Sequence, residues 1–328
     1  MKKWIENSVK VIISLGLIIY LISEADPQKI LDVLGHITSP KGFLLLLLAI
    51  FLTLAAILLM SMRWKILLKG YGYRLSLSRL YSFYLIGLFF NNFLPTSIGG
   101  DVIRIYKAVA EIDERAVGFA SVIIERMMGI AATLFMAIVA LFFISQEFKS
   151  PRLLYTSIGL FVIIGLFFLV IIRNRPFAIM LRLFDKFTIF KIGEKLNKLL
   201  EAIHYFKDKR RVLLYVFLFS LMSQTMIVFM NYALSRAFEV DVSLNMLFMV
   251  VPVSFVLTML PSINGLGVRD LGFVSLLGRV GVSKAGALSL SFMNLLIPMA
   301  VSIWGAFLFV IQKKKTREGE IDVVKSTF

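Results

Sequence analysis

Cysteine is absent from the 328-residue chain, and histidine occurs only at His36 and His204. Without cysteine there is no disulfide framework, no thiolate nucleophile and no thioether attachment of haem. Both histidines fall outside the apolar runs, so histidine-dependent phosphatase chemistry and histidine metal sites have little support. The chain also lacks a nucleotide-binding motif, and no polar stretch is long enough to fold a nucleotide- or tRNA-binding domain. We therefore expect no enzyme activity, no cofactor and no metal.

Two intramembrane protease mechanisms are disfavoured by the residues present. Aspartyl proteases of this kind need the pattern Gly-x-Gly-Asp, but Ile98 precedes the Gly-Gly-Asp of this chain. A rhomboid-like serine protease would need a Gly-x-Ser-Gly turn and a histidine inside the membrane, and neither histidine lies in an apolar run.

Apolar residues are abundant: they make up 59% of the chain, and the mean hydropathy is +0.87. A soluble domain is roughly 45–50% apolar, so this composition indicates an integral membrane protein with several spans. The net charge is +16, with 36 basic and 20 acidic residues. Because the basic residues flank apolar runs and no nucleic-acid-binding motif is present, we assign them to cytoplasmic anchoring and anionic lipid headgroups in the cell membrane.

Six apolar runs are long enough to cross a bilayer: 5–22, 43–62, 116–144, 153–172, 212–234 and 285–311. We interpret the first as an uncleaved span. After the second span, Arg63, Lys65, Lys69 and Arg74 are expected on the cytoplasmic side, with Trp64 at the membrane interface. Residues 173–211 form a basic amphipathic segment on the cytoplasmic surface. A single membrane domain, 1–315, is followed by a polar cytoplasmic tail, 316–328.

Two further apolar segments do not fit as spans. Lysines at both ends of the chain and in 173–211 place these parts, and both termini, in the cytoplasm. Counting the crossings between them leaves 80–104 starting and ending inside, and 244 to about 280 starting and ending outside. The sequence therefore predicts an all-α polytopic fold with six spans and two re-entrant hairpins that enter from opposite faces.

The two predicted hairpins break at similar sequences. "FLPTSIGGDVIR" at 93–104 compares with "MLPSINGLGVRD" at 259–270. Each has Leu-Pro, a small hydroxyl residue, two glycines and a nearby Asp and Arg. Their opposite orientation makes them the two halves of an inverted repeat. Irregular backbone at membrane depth persists only where it is buried in protein or faces water, and a helix starting there presents unpaired N–H groups suited to a phosphate.

Charged residues accompany both breaks. Asp101 and Arg104 share a helical face, and Arg269 and Asp270 follow the second break. Glu125 and Arg126 lie within a span, where each charge costs roughly 2.5–3.5 kcal/mol at the centre. In one interpretation these charges only pair with one another, and Asp101 is a helix cap. In the other, Arg104, Arg126 and Arg269 hold a phosphate while Asp101 and Glu125 orient them or meet a cationic headgroup.

Three motifs, in this order, carry a family resemblance: "GLFFNNFLPTSIGGDVIRIY" at 87–106, "SVIIERMMGI" at 121–130 and "LPSINGLGVRDLGF" at 260–273. The chain resembles the flippase-like transmembrane domain of lysylphosphatidylglycerol synthases, as a stand-alone member without the synthase domain. Asp270 stands where a glutamate is expected. The resemblance implies a lipid path lined by most of our candidate substrate-binding residues. These are Asn92, Ser97, Gly99, Gly100, Asp101, Arg104, Glu125, Arg126, Asn264, Gly265, Gly267, Arg269 and Asp270.

The resulting hypothesis is a lipid translocase that moves a phospholipid or other phosphate-headed lipid through a polar midplane cavity. No energy source is evident. Two alternatives remain: a non-transporting scaffold for envelope lipid biosynthesis, and a small-anion transporter. Expected partners are membrane lipids, a second copy of the chain or an envelope-biosynthesis enzyme, and not nucleic acid.

Overall fold

The computed structural model describes residues 19–93, 99–144, 201–258 and 265–327, together with isolated helical positions between 155 and 166. For 93, 141–144 and 313–327 it describes the backbone alone. Across these ranges the regular secondary structure is helical and contains no strand. The predicted all-α polytopic fold is confirmed.

Nine α-helices have defined bounds within the described ranges, and we number them in chain order. They are α1 Pro27–Gly35, α2 Pro40–Gly70, α3 Leu77–Phe93, α4 Gly99–Ile112, α5 Arg115–Ile144, α6 Arg210–Ala237, α7 Leu244–Leu257, α8 Val268–Gly278 and α9 Lys284–Thr327. Two short 3-10 helices, His36–Thr38 and Tyr205–Asp208, precede α2 and α6.

Four of these helices are long and apolar enough to cross a membrane: Pro40–Gly70, Arg115–Ala140, Arg210–Ala237 and Lys284–Gln312. They correspond to four of the six predicted spans. The other two, 5–22 and 153–172, lie almost entirely outside the described residues, as does most of 173–211. Helix α7 is apolar but has only 14 residues, which suits a hairpin arm rather than a span.

Local sequence explains where α2 begins. The Ser39 hydroxyl accepts a hydrogen bond from the Gly42 N–H at 3.0 Å, and Pro40 occupies the first turn, where its missing N–H costs nothing. Helix α2 then runs to Gly70, beyond the predicted end of its span at residue 62.

Because of this extension, two residues expected at the surface are buried in the protein. Arg63 was expected in the cytoplasm and Trp64 at the interface, but their exposures are 6% and 0%. Both lie on the stripe of α2 that faces its neighbours, which also carries Ile57, Leu67 and Leu68. The run of basic residues after position 62 concealed the continuing helical periodicity.

Helices α3 and α4 form an antiparallel hairpin. The two helices are in contact from the open end of the hairpin to the residues next to the turn. Near the open end, Arg79 pairs with Glu111 at 2.6 Å. Near the turn, the Gly100 N–H donates to the Asn91 side-chain oxygen at 2.6 Å. A methyl group on Gly100 would lie 2.0 Å from the carbonyl oxygen of Gly87, so the two backbones touch there.

Helices α7 and α8 form the second hairpin. Gly272 of α8 packs against Ser254 and Leu257 of α7, and Gly265 packs against Thr258 closer to the turn. Gly265 and Gly267 have φ of 78° and 81°, a conformation that glycine adopts without strain.

The hairpins point in opposite directions. Helices α2 and α6 pack antiparallel, and Lys209 at the start of α6 bonds to the Gly70 carbonyl at the end of α2. The open end of the first hairpin lies here, where Leu68 and Leu80 share one apolar cluster. The open end of the second lies at the other end of this pair, where His36 approaches Glu239 at 3.7 Å. The inner ends of the two hairpins, at Asn91 and Thr258, therefore lie near each other in the middle of the helix pair.

The two halves of the chain repeat the same order of span, hairpin and span. Corresponding helices begin at Pro40 and Arg210, Leu77 and Leu244, Gly99 and Val268, and Arg115 and Lys284, a spacing of about 169 residues. Each hairpin also packs against a span of the other half: α3 lies against α9, and α7 lies against α5. This architecture matches the predicted inverted repeat.

Tyr71 joins the polar segment before α6 to the end of α2. Its hydroxyl donates to the Ala202 carbonyl oxygen at 2.8 Å. Burial, and secondarily Tyr205, raises the pKa of Tyr71 far above its usual range, so the hydroxyl stays protonated and remains a donor.

Candidate functional site

Five ionisable side chains from three helices meet below the turn of the first hairpin. Arg63 comes from α2, Asp101 and Arg104 from α4, and Glu125 and Arg126 from α5. Four of the five residues are at least nine-tenths buried, and Arg126 keeps 42% of its side chain exposed.

Glu125 accepts hydrogen bonds from two arginines. Its Oε1 receives Arg63 Nη2 at 2.6 Å and Nε at 3.2 Å, while its Oε2 receives Arg104 Nη1 at 3.1 Å. Arg63 Nη1 also donates to the Ser220 hydroxyl of α6 at 2.9 Å. Three spans and a hairpin arm are thereby tied together at the 1%-exposed Glu125.

Asp101 is also shared by two arginines. Arg104 Nη2 donates to its Oδ1 at 2.8 Å, and Arg126 Nε pairs with its Oδ2. Arg104 thus links both carboxylates. The Arg104 guanidinium lies 4.0 Å from the centre of the Tyr84 ring and 5.0 Å from that of Trp64, which supplements its ion pairs with cation–π attraction.

Formal charges in this cluster do not cancel. Among the described residues, three arginines face two carboxylates, which leaves one positive charge in a largely buried place. Such a charge is costly unless an anion joins it or water reaches it. Arg126 is the member that solvent reaches, so it is the natural point of contact for an anion.

A cavity of about 320 Å³ opens beside the cluster. All five charged residues line it, together with further residues of α2, α3, α5, α6 and α7. These include Tyr84, Gly87 and Asn91 of α3, Gly129 of α5, Gln224 of α6 and Phe255 of α7. A cavity of this size accommodates a phosphate headgroup but not acyl chains as well.

Residues of the second hairpin form a separate polar cluster. Arg269 donates to Asp270 at 2.7 Å and to the Ser291 hydroxyl at 3.1 Å, and that hydroxyl donates to Asp270 at 2.5 Å. The second Asp270 oxygen accepts the Gly267 N–H at 2.8 Å. Asp270 is fully buried and therefore closes the first turn of α8 while neutralising Arg269.

Arg269 lines a second cavity, of about 210 Å³, with Asn92, Asn294 and the buried hydroxyl residue Ser254. The two cavities have six lining residues in common: Leu88, Asn91, Gln224, Ile227, Phe255 and Thr258. The cavities therefore adjoin, and Asn91 and Thr258 each lie near the turn of one hairpin.

The helix starts at the two breaks are only partly available as anion sites. The Gly100 N–H donates to Asn91, and the Gly267 N–H donates to Asp270. These bonds reduce the number of unpaired donors expected at each start. The arginine side chains therefore carry more of the positive potential than the sequence suggested.

The predicted residues divide between the two cavities. Asp101, Arg104, Glu125 and Arg126 lie together, whereas Arg269 lines the other cavity. Gly99 and Gly100 begin α4, and Asn92 donates to the Ser302 hydroxyl of α9 at 2.8 Å. Ser97 and Asn264 lie outside the described residues.

Sequence reasoning missed Arg63, Tyr84 and Gln224 as cavity residues. Arg63 could have been found by following the apolar stripe of α2 past position 62, since Ile57, Arg63 and Leu67 share one face. Nothing in the sequence indicated that Tyr84 lines the cavity, because its role depends on Arg104 lying across its ring.

Asn231 and Asn294 take the places of Arg63 and Glu125 in the second half, at the same spacing of about 169 residues. The Asn294 amide donates to the Asn231 side-chain oxygen at 2.9 Å, so a neutral bond joins α6 and α9 where an ion pair joins α2 and α5. At these two positions the repeat is preserved in backbone but not in charge.

The family described as the lysylphosphatidylglycerol synthase TM region matches residues 7–305. A UPF0104 membrane protein of Methanocaldococcus jannaschii is 26% identical over 222 residues, which cover 62% of this chain and 64% of that protein. The match thus spans a little under two thirds of this relative. The chain belongs to the lysylphosphatidylglycerol synthase transmembrane-region family.

Proposed function

We propose that the protein translocates a phosphate-headed lipid between the two leaflets of the membrane. The headgroup passes through the two adjoining cavities while the acyl tails remain in the bilayer. The observation that carries this proposal is the uncompensated positive charge of the cluster, with Arg126 half-exposed beside a cavity at the meeting point of two opposed hairpins.

Charge at the two ends of the helices supports an orientation. Among the residues whose side chains are described, one end carries ten basic and five acidic residues: Lys65, Lys69, Arg74, Arg79, Lys107, Arg115, Lys207, Lys209, Arg210 and Arg211, against Glu111, Asp113, Glu114, Glu201 and Asp208. The other end carries five of each: Lys29, Lys41, Arg236, Arg279 and Lys284, against Glu24, Asp26, Asp32, Glu239 and Asp241.

The positive-inside rule then places the open end of the first hairpin, and the end of span α9, in the cytoplasm. Because the chain has no cysteine, the single substitutions Arg74→Cys and Asp241→Cys can report the orientation. A membrane-impermeant maleimide added to intact cells should label the cysteine at Asp241 and not the one at Arg74. The reverse pattern would contradict the assignment.

The function is tested with purified protein in liposomes. Leaflet exchange of acyl-labelled phospholipids is followed for the native protein and for Arg126→Ala and Asp101→Ala. Arg126→Ala should slow exchange about tenfold or more, because it removes a charge-assisted contact to phosphate. Asp101→Ala should also slow it, because Asp101 holds both Arg104 and Arg126.

Arg79→Ala is the matched control. Arg79 lies on the same hairpin in an ion pair with Glu111, but 62% of its side chain is exposed at the open end. Its loss should leave exchange unchanged. Native exchange by both cavity variants would contradict the proposed site. Absence of exchange from folded native protein would favour a scaffold for envelope lipid biosynthesis, and uptake of a soluble anion instead would favour a small-anion transporter.

A further inference from the structure

We infer that the charged cavity selects a phosphodiester headgroup that carries one negative charge and no amine, against zwitterionic and cationic headgroups. This inference rests on the proposed lipid translocation. Both carboxylates that line the charged cavity among the described residues are already paired with arginines.

A ligand with a single negative charge balances the net charge of the cavity. Arg63, Arg104 and Arg126 oppose Asp101 and Glu125, so the cluster has a net charge of +1. A phosphodiester brings −1 and makes the filled cavity neutral. A zwitterionic headgroup adds zero and a cationic aminoacyl headgroup adds +1, so both leave uncompensated charge in a place of low dielectric.

An ammonium group finds no acceptor in the described part of the site. Asp101 is shared by Arg104 and Arg126, and Glu125 by Arg63 and Arg104. The carboxylate of Asp270 is held by Arg269, Ser291 and a backbone N–H. To bind any of these carboxylates, an amine would have to displace a guanidinium or a buried hydrogen bond.

The two turns add no further acidic group. The sequence at 94–98 is "LPTSI" and that at 259–264 is "MLPSIN", and neither contains Asp or Glu. The sequence of these two segments therefore supplies no carboxylate for a cation.

The described residues of the cavities also offer few free aromatic rings to an amine. A quaternary or methylated ammonium binds best within several ring faces. The Tyr84 ring is already occupied by the Arg104 guanidinium at 4.0 Å. Phe255, which lines both cavities, offers a single ring.

Arg126 determines this selectivity. Its Nε pairs with Asp101, and 42% of its side chain is exposed beside the cavity, where an incoming phosphate can reach it. A guanidinium presents a planar fork that matches two phosphate oxygens.

The test compares three acyl-labelled lipids in liposomes that contain the native protein: phosphatidylglycerol, phosphatidylethanolamine and lysylphosphatidylglycerol. We expect phosphatidylglycerol to exchange about tenfold or more faster than the other two, because a charged contact to the cavity is left unbalanced only for them. Equal or faster exchange of either amine-bearing lipid would overturn the inference while leaving translocation itself intact.

Two variants of Arg126 test the mechanism of selection. Arg126→Gln lowers the cavity charge from +1 to zero and should reduce the preference for phosphatidylglycerol at least threefold. Arg126→Lys keeps the charge and should keep the preference, with slower exchange. A preference that is unchanged in Arg126→Gln would show that the cavity charge is not the selecting feature.

Another arm separates a lipid headgroup from a free anion of the same chemistry. Uptake of radiolabelled glycerol 3-phosphate into the same liposomes should stay at the protein-free level. Uptake without lipid exchange would overturn the proposed function and the inference together, and absence of exchange for all three lipids would do the same.

Discussion

Glu125 is the residue on which the geometry of the site depends. It accepts hydrogen bonds from Arg63 and Arg104, which reach it from different helices, and it is 1% exposed. Removal of one partner from a buried ion pair typically costs about 3–5 kcal/mol, because the remaining charge stays buried without compensation.

We therefore expect Glu125→Gln to destabilise the protein by about 3–5 kcal/mol, since two buried guanidinium groups lose their shared partner. The measurement is unfolding in detergent, followed by loss of the folded, monodisperse protein. Glu111→Gln is the control: its pair with the exposed Arg79 should be worth less than about 1 kcal/mol. Equal effects of both substitutions would contradict the buried-pair description.

A paired replacement separates structural from functional use of these charges. Arg63→Met combined with Glu125→Met should recover much of the lost stability, because buried pairs replaced by apolar residues are often neutral or stabilising. If exchange of lipids also returned, Arg63 and Glu125 would serve the fold and not the headgroup.

At this scale the sequence was informative about residue types and less so about partners. The charges at 101, 104, 125 and 126 were identifiable because ionised residues in apolar surroundings need compensation. The partner of Glu125 could not be identified, because Arg63 begins a run of basic residues of the kind found at the surface. Only the packing of α2 against α5 brings Arg63 and Glu125 together.

At the scale of elements, the first hairpin depends on close backbone approach. Gly100 begins α4 beside Gly87 of α3, and Gly305 of α9 approaches the Leu85 carbonyl of α3 from another side. A methyl group at Gly305 would lie 2.1 Å from that oxygen. Small residues at such positions let helices approach closely and are common in membrane interfaces.

Gly100→Ala should destabilise the folded protein by about 1–3 kcal/mol, because its Cβ would meet backbone and the Asn91 side chain and not a flexible side-chain end. Thermal unfolding in detergent measures the effect. Gly278→Ala provides the comparison, since a Cβ there meets nothing within 4 Å. Similar stability of both variants would show that α3 and α4 can separate at no cost.

The hairpins themselves could be predicted from sequence because Pro and Gly interrupt apolar runs that are too short to cross twice. The lengths of α3 and α7, 17 and 14 residues, agree with that expectation. The packing of α3 on α9, and of α7 on α5, could not be predicted, because apolar helices in a membrane carry no pattern that names a neighbour.

At the scale of the whole molecule, the inverted repeat was visible as two short similar breaks, and the structure extends it to spans and packing. The difference in charge between the two halves was not predicted. Asn231 and Asn294 replace the ion pair of the other half, and the uncompensated positive charge lies beside the first hairpin alone among the described residues. Corresponding backbone positions predict equal geometry but not equal chemistry.

This placement has a consequence for energetics. The positive charge belongs to protein side chains and stays in place, whereas a monoanionic headgroup that crosses carries its own charge through the membrane field. Passage would then be electrogenic, and the field contributes about 2.3 kcal/mol per unit charge for each 100 mV.

In the orientation proposed above, with the basic end in the cytoplasm, an interior-negative membrane potential would push the anionic lipid towards the outer leaflet, by about fiftyfold for each 100 mV at equilibrium. A potassium gradient with valinomycin, imposed across the liposomes in either direction, should shift the final distribution of phosphatidylglycerol and reverse it with the sign. A distribution that ignores the potential would mean that a compensating ion travels with the lipid. If the distribution does respond, the membrane potential alone would set the direction of the proposed transport, without nucleotide hydrolysis.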